Sequence, residues 1–207
     1  MTKVTQAHID ARTQDILDAA RRMFIRKGVD VATVQEIATE AGLSAGAIYR
    51  YYPSKAELLR AVCGDWVEHD RELFQRAEAE SDSPVGRLMQ VGRHVWDDMK
   101  RPDCKEDLLL SLETVLVGAR QSPELAAGRK AAMLEVEGMI ERLVREAQAA
   151  GELDKALDAP ALSQMLLACS FGTRLLSLDL GDEMDTDAVL TVLGQMLSRF
   201  APQMEQR

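Results

Sequence analysis

Between Thr33 and Lys55 the chain collects three hydroxyl residues that can cap helices (Thr33, Ser44, Ser54), three small residues in a row (Ala45, Gly46, Ala47), three phenols (Tyr49, Tyr51, Tyr52) and two cations (Arg50, Lys55). This set suits recognition of a polyanion rather than bond-making chemistry. Lys55, Tyr51, Thr33 and the N–H groups at helix starts are fitted to phosphates, which fix register. Ala45, Ala47, Tyr49 and Arg50 could reach base edges or thymine methyls. Gly46 has no side chain and so lets backbone approach a duplex closely. Arg12, near the start of the first helix, adds one more candidate contact. The plainer reading is that Thr33 and Ser44 only cap helices while Tyr51 and Tyr52 only pack; capping does not exclude a phosphate contact.

No comparable set exists for catalysis. Histidines occur only at His8, His69 and His94, the cysteines Cys63, Cys104 and Cys169 lie in separate segments, and G-x-S-x-G, P-loop and dinucleotide fingerprints are absent. Glu68, His69 and Glu72 superficially suggest a metal cluster, but one helical turn lacks a full ligand set. No catalytic residue, metal or cofactor is therefore expected.

The recognition residues need short, well-delimited helices. Thr33 with Glu36 three residues later is a capping box, so a helix begins at Val34. Val34, Ile37, Ala38 and Ala41 follow the spacing of one buried face, and Gly42 supplies a left-handed stop. Ser44 can cap the next helix, in which Ile48 points to the core and Tyr49, Arg50 and Ala45 face outward. Pro53 discourages helical geometry at Tyr52, and Ser54 with Glu57 forms a second capping box that launches another helix. Two helices joined by the short Gly42-Leu43 connection form a helix-turn-helix.

The segments ILDAARRMF, KG, TVQEIA, AGLSAGAIYRYY and PSKAELL, from about Arg12 to Leu59, resemble the amino-terminal pattern of TetR-type (TetR/AcrR) bacterial transcriptional regulators. Tyr52 stands where that family usually has Phe, and Arg50 adds a cation to the reading helix. The remainder matches only in length and helical character. The resemblance implies a homodimeric, ligand-responsive regulator, most often a repressor.

Over all 207 residues the formal charge is −9, yet the first 60 residues carry nine Lys and Arg against seven Asp and Glu, leaving 16 against 27 for the rest. A local field decides phosphate contact within a Debye length of ~8–10 Å, so the acidic bulk is compatible with a DNA reader and argues against indiscriminate coating. Strand signals are nearly absent, and the expected fold is all-α: a three-helix head over residues 1–53 on a larger antiparallel helical bundle over 54–207. The first helix should run from about His8 or Asp10 to Lys27, burying Ile16, Ala20, Met23 and Phe24 and stopping at Gly28. Ser-Pro starts at 83–84 and 122–123, with an Asp103–Glu106 cap, place later helices near 54–80, 84–100, 104–120, 123–150, 159–179 and 186–200. Widely spaced cysteines, no signal peptide and no uninterrupted apolar run of membrane-spanning length point to a cytoplasmic protein without a membrane partner.

The helices DLLLSLETVLVGAR and ALSQMLLACSFGTRLLSL are apolar on most faces and are interrupted by Glu113 and Arg174, which could face a ligand, one another or solvent. Trp66, Trp96, Met99, Met133, Met139, Met165 and Phe171 could line an apolar effector cavity, although core packing explains each equally well. The expected partners are double-stranded, near-palindromic operator DNA, a predominantly apolar small-molecule effector and, as the family resemblance implies, a second copy paired through helices near 159–179 and 186–200. The rival reading is a helical small-molecule binding protein or enzyme without a DNA role.

Overall fold

The computed structural model describes residues 6–101 and 104–202, with side chains from residue 10 onward. The helices are α1 (Gln6–Lys27), α2 (Val34–Glu40), α3 (Ala45–Tyr51), α4 (Lys55–Glu80), α5 (Pro84–Met99), α6 (Cys104–Arg120), α7 (Pro123–Ala149), α8 (Ala159–Leu180) and α9 (Thr186–Arg199). A 3-10 turn, Gly181–Glu183, precedes α9, and no strand occurs among the described residues. The all-α class and helix limits agree with the sequence patterns to within about a turn. Asp103, one half of an expected cap, lies outside the described residues.

The caps explain this agreement. Thr33 Oγ1 accepts from Glu36 N at 3.3 Å while a Glu36 carboxylate oxygen accepts from Thr33 N at 3.0 Å, closing the capping box of α2. Ser44 accepts from Ala47 N at 3.2 Å, Ser83 from Gly86 N at 3.0 Å and Ser122 from Leu125 N at 3.2 Å. The box at Ser54 is only half made: its hydroxyl accepts from Glu57 N at 3.1 Å, but the Glu57 carboxylate is drawn to the cationic Arg60 one turn later.

The chain forms two compact units, one of residues 1–66 with 106–132 and the other of 67–105 with 133–207. Packing therefore does not follow a cut at 53/54. The first turns of α4 bury Leu58, Leu59 and Val62 in the same core as Ile16, Ala20 and Phe24 of α1, Ile37 and Ala38 of α2, and Ile48 of α3. Leu110 of α6 and Leu125 of α7 complete that core. Arg22 and Arg26 of α1 reach Glu40 at 3.1 and 2.8 Å, and Lys27 pairs with Glu36, so three exposed ion pairs tie α1 to α2.

Gly28 ends α1 with φ +86°, and Val29 N then donates to Glu113 of α6 at 2.7 Å. A Cβ on Gly28 would stand 3.0 Å from that same carboxylate oxygen, so the glycine is required both by its dihedral and by the close approach. Lys55 Nζ donates to Asp30 O at 3.0 Å from the other side of the loop.

In the second unit Phe74, Leu88, Leu143, Val144, Leu153, Leu162 and Leu197 form the core. The outer faces of α8 and α9 do not join it: Leu175, Leu176, Leu180, Val192 and Met196 stay 44–54% exposed. The stretch Ala159–Glu183 has the length and mean composition of a membrane-spanning helix, which the sequence reading did not foresee, because Ser163, Gln164, Ser170 and Arg174 break its apolar run without lowering the average enough. Only 11% of its apolar window is buried within the chain.

Two stability outcomes follow from the loop and the capping box. Glu113→Ala leaves the buried Val29 N–H without an acceptor and should cost about 1–3 kcal/mol in denaturant unfolding, whereas Glu113→Gln retains a carbonyl acceptor and should cost less. Lys27 first, then Thr33, pull the Glu36 carboxyl from its ordinary 4.5 down to about 2. Its ionised form thus stabilises the head above the ordinary value, and this contribution disappears as pH falls through about 2. Glu36→Gln should lower the melting temperature at neutral pH and lose less than the native protein on acidification.

Candidate functional site

The seven-residue α3 is stationed by its neighbours. Gly42, at φ +66°, turns the chain out of α2 while Leu43 N returns to Ala38 O at 2.8 Å, and Ser44 starts α3 two residues later. Ile48 is fully buried. Its burial leaves Gly46, Tyr49 and Arg50, at i, i+3 and i+4, exposed along the opposite side, with Tyr49 half accessible. Ser44 and Thr33, at the starts of α3 and α2, are also exposed.

Three expected contacts sit differently. Ala45 is half-buried and packs on the head core rather than facing outward, because it precedes Ile48 by one turn and shares its face. Ala47 is half-buried, and Tyr51 packs against the same core as Tyr52. Burial pushes the Tyr52 phenol upward, and Asp65 adds to this. Lys55 spends one of its donors on Asp30 O, and partial burial lowers its pKa against the pull of Asp30 and Glu113. Arg12 lies on α1, paired with Asp15 at 3.6 Å.

Gly46 is instructive. A Cβ built there would meet nothing nearer than Ser44 Oγ at 4.0 Å, and its φ is not positive. The fold itself does not require a glycine at this position.

A separate feature lies wholly within the second unit: a cavity of about 430 Å³ with walls from α4, α5, α7, α8 and α9. Of the residues proposed for an effector, Trp96, Met133, Phe171 and Arg174 line it. Glu113 is engaged with Val29, Trp66 packs against the head core, Met139 packs on the second core, Met165 is exposed on α8, and Met99 is not among the lining residues. Asp70, Leu73 and Phe74 of α4 were missed. The signal was present, since Val67, Asp70 and Phe74 share one helix face and an acid on such a face invites attention. Burial pushes the Asp70 carboxyl up, opposed by Arg174 and then His69. Elsewhere, burial pushes the Cys63 thiol up to about 11, which leaves it protonated and unreactive at neutral pH.

Residues 16–62 match the family model described as bacterial regulatory proteins, tetR family. The chain is 36% identical over 80 residues to an uncharacterized HTH-type transcriptional regulator, YfiR of Bacillus subtilis, a match covering 38% of this chain and 39% of that protein. It is 37% identical over 76 residues to the HTH-type transcriptional repressor Rv1474c of Mycobacterium tuberculosis, covering 37% and 41% of the two chains. The matched stretch thus spans less than half of either relative. The fold is similar along nearly the whole chain to that of the transcriptional regulator FadR from Bacillus subtilis, solved with stearoyl-CoA: TM-score 0.73 at 20% identity, over 91% of this chain and 99% of that one. Such identity establishes the shared fold and no more. By sequence, residues 16–62 are similar to the tetR family of bacterial regulatory proteins, and the relatives matched over this amino-terminal stretch carry the names of transcriptional regulators.

Proposed function

We propose that the protein is a sequence-specific DNA-binding regulator, acting in the cytoplasm as a repressor that a small, predominantly apolar effector releases from a near-palindromic operator. Residues 1–53 read DNA; residues 54–207 bind the effector and pair with a second copy. The observation that carries the reading is the exposed Gly46, Tyr49 and Arg50 face on a helix whose opposite side is anchored by Ile48. One short helix reads only a few base pairs, so two copies and a symmetric site are needed for specificity. Support for pairing comes from the exposed leucines, valines and methionines of α8 and α9, apolar surface of the kind that marks an interaction face. Support for an effector comes from the apolar cavity. Footprinting on genomic fragments tests the whole: protection of two half-sites in dyad symmetry is expected, and equal affinity for random duplexes would overturn the proposal.

Gly46→Ala separates recognition from folding. Alanine is a better helix former by about 0.5–1 kcal/mol and meets no obstacle within the protein, so thermal stability should hold or rise while operator affinity in gel shifts falls. Lys55→Ala should weaken specific and random DNA alike and reduce the salt slope by about 1, since a phosphate contact carries no base information. A changed base preference with an unchanged slope would contradict that role. Glutamates in place of Leu175 and Leu180 should convert a dimer to monomers in sedimentation and abolish tight operator binding together.

A further inference from the structure

Polar groups are scarce around the cavity of the second unit, and its two charged residues, Asp70 and Arg174, are unequal. Arg174 brings a planar guanidinium whose N–H donors form a rigid fork. Its Nε is shut away from water and has no hydrogen-bond partner. Asp70 is the acid that could answer it, but burial raises the Asp70 carboxyl toward its neutral form. The other charges around Asp70 offer no substitute: Asp98 is already paired with His69 and lies 3.8 Å from Arg101. The cavity therefore holds a guanidinium with a buried, unanswered donor among apolar walls that include Phe74, Trp96 and Ile140.

Contrast comes from Arg129 in the first unit. Its Nη1 donates to Ser111 O, Ser111 Oγ and Thr114 Oγ1 at 3.2–3.3 Å. Nη1 of the half-buried Arg129 thus meets three acceptors, whereas Arg174 Nε meets none, in a space large enough for a ligand.

Building on the proposed effector cavity, we propose that its ligand is an amphiphile with an apolar body and one carboxylate or similar planar oxyanion, which Arg174 binds. A carboxylate takes two parallel hydrogen bonds from a guanidinium edge, and an edge that includes Nε would satisfy the orphaned donor. An uncharged apolar molecule would fill the same space and leave that donor unmet. A cationic ligand would face an arginine whose repulsion Asp70 only partly offsets.

Calorimetric titration of the full-length protein with decanoate, 1-decanol and decyltrimethylammonium tests this at matched chain length. Decanoate should bind about tenfold or more tightly than the alcohol, and the cation least. Arg174→Gln should erase the preference of carboxylate over alcohol while leaving the alcohol's affinity in place, and Arg174→Lys should restore part of it. The comparison of three probes on the native protein needs no variant, so a misfolded substitution does not blunt it. Equal binding of decanoate and decanol would overturn the anion assignment and keep the apolar cavity. Tightest binding of the cation would assign the site to Asp70 instead and overturn the proposal. Absence of saturable binding by every probe would remove the effector cavity itself. A probe that binds only by splitting dimers in sedimentation would make the groove a seat for the second copy, and the proposal would fall.

Discussion

Seven residues do not make a stable helix, and every property of the head follows from that shortage. Isolated helices below about 12–15 residues are marginal in water, so α3 takes its geometry from its surroundings. The anchor is Ile48, whose complete burial contributes about 1.5–3 kcal/mol and fixes which face of α3 looks outward. Ser44 meets an N–H at its start, and Gly42 sets where that start lies. The pairs that tie Arg22, Arg26 and Lys27 to α2 are exposed and screened by water, too weak to position anything alone. Orientation comes from burial, and the charges trim it.

Glu113 shows how the same residue type reads differently before and after folding. An acid inside an apolar helix is costly unless partnered, which makes it a fair candidate for a ligand. Its partner turns out to be Val29 N–H, presented by a loop 84 residues away in sequence. The loop between α1 and α2 is thereby clasped from α6 as well as from Lys55. This clasp sits where the chain leaves the framework helix to enter the reading pair, so a residue outside the motif governs how the motif is held.

Helix existence and limits were legible because their causes are local: Thr33, Ser44, Ser83 and Ser122 act on N–H groups three residues ahead, and Gly28 and Gly42 act on their own dihedrals. What required the fold was any question about which helix meets which. The apolar periodicity of α4 is much the same before and after Trp66, yet Leu58, Leu59 and Val62 serve the head core while Leu73 and Phe74 border the cavity. Trp66 and Trp96 are equally plausible cavity residues by type, and only one lines it. Ala45 was misdirected for a smaller reason: at the first helical position the outward face is set by the next anchor, Ile48, rather than by the cap.

The proposed switch asks little energy of the protein. A coupling of about 1–3 kcal/mol changes operator affinity roughly 5- to 150-fold, and by linkage bound operator weakens the effector by the same factor. That is comparable to a few capping or loop hydrogen bonds of the kind found around α2 and α3. A dimer makes the requirement smaller still, because both heads must sit about 34–36 Å apart to engage successive grooves, and a pair that misses this spacing forfeits the benefit of double attachment without breaking any contact within either head. The 26-residue α4 supplies Leu58 to the head core and Leu73 to the cavity wall, so one continuous helix takes part in both. An effector needs only to prefer one setting of that helix. Equal affinity for both settings would leave the DNA bound however tightly the effector itself was held.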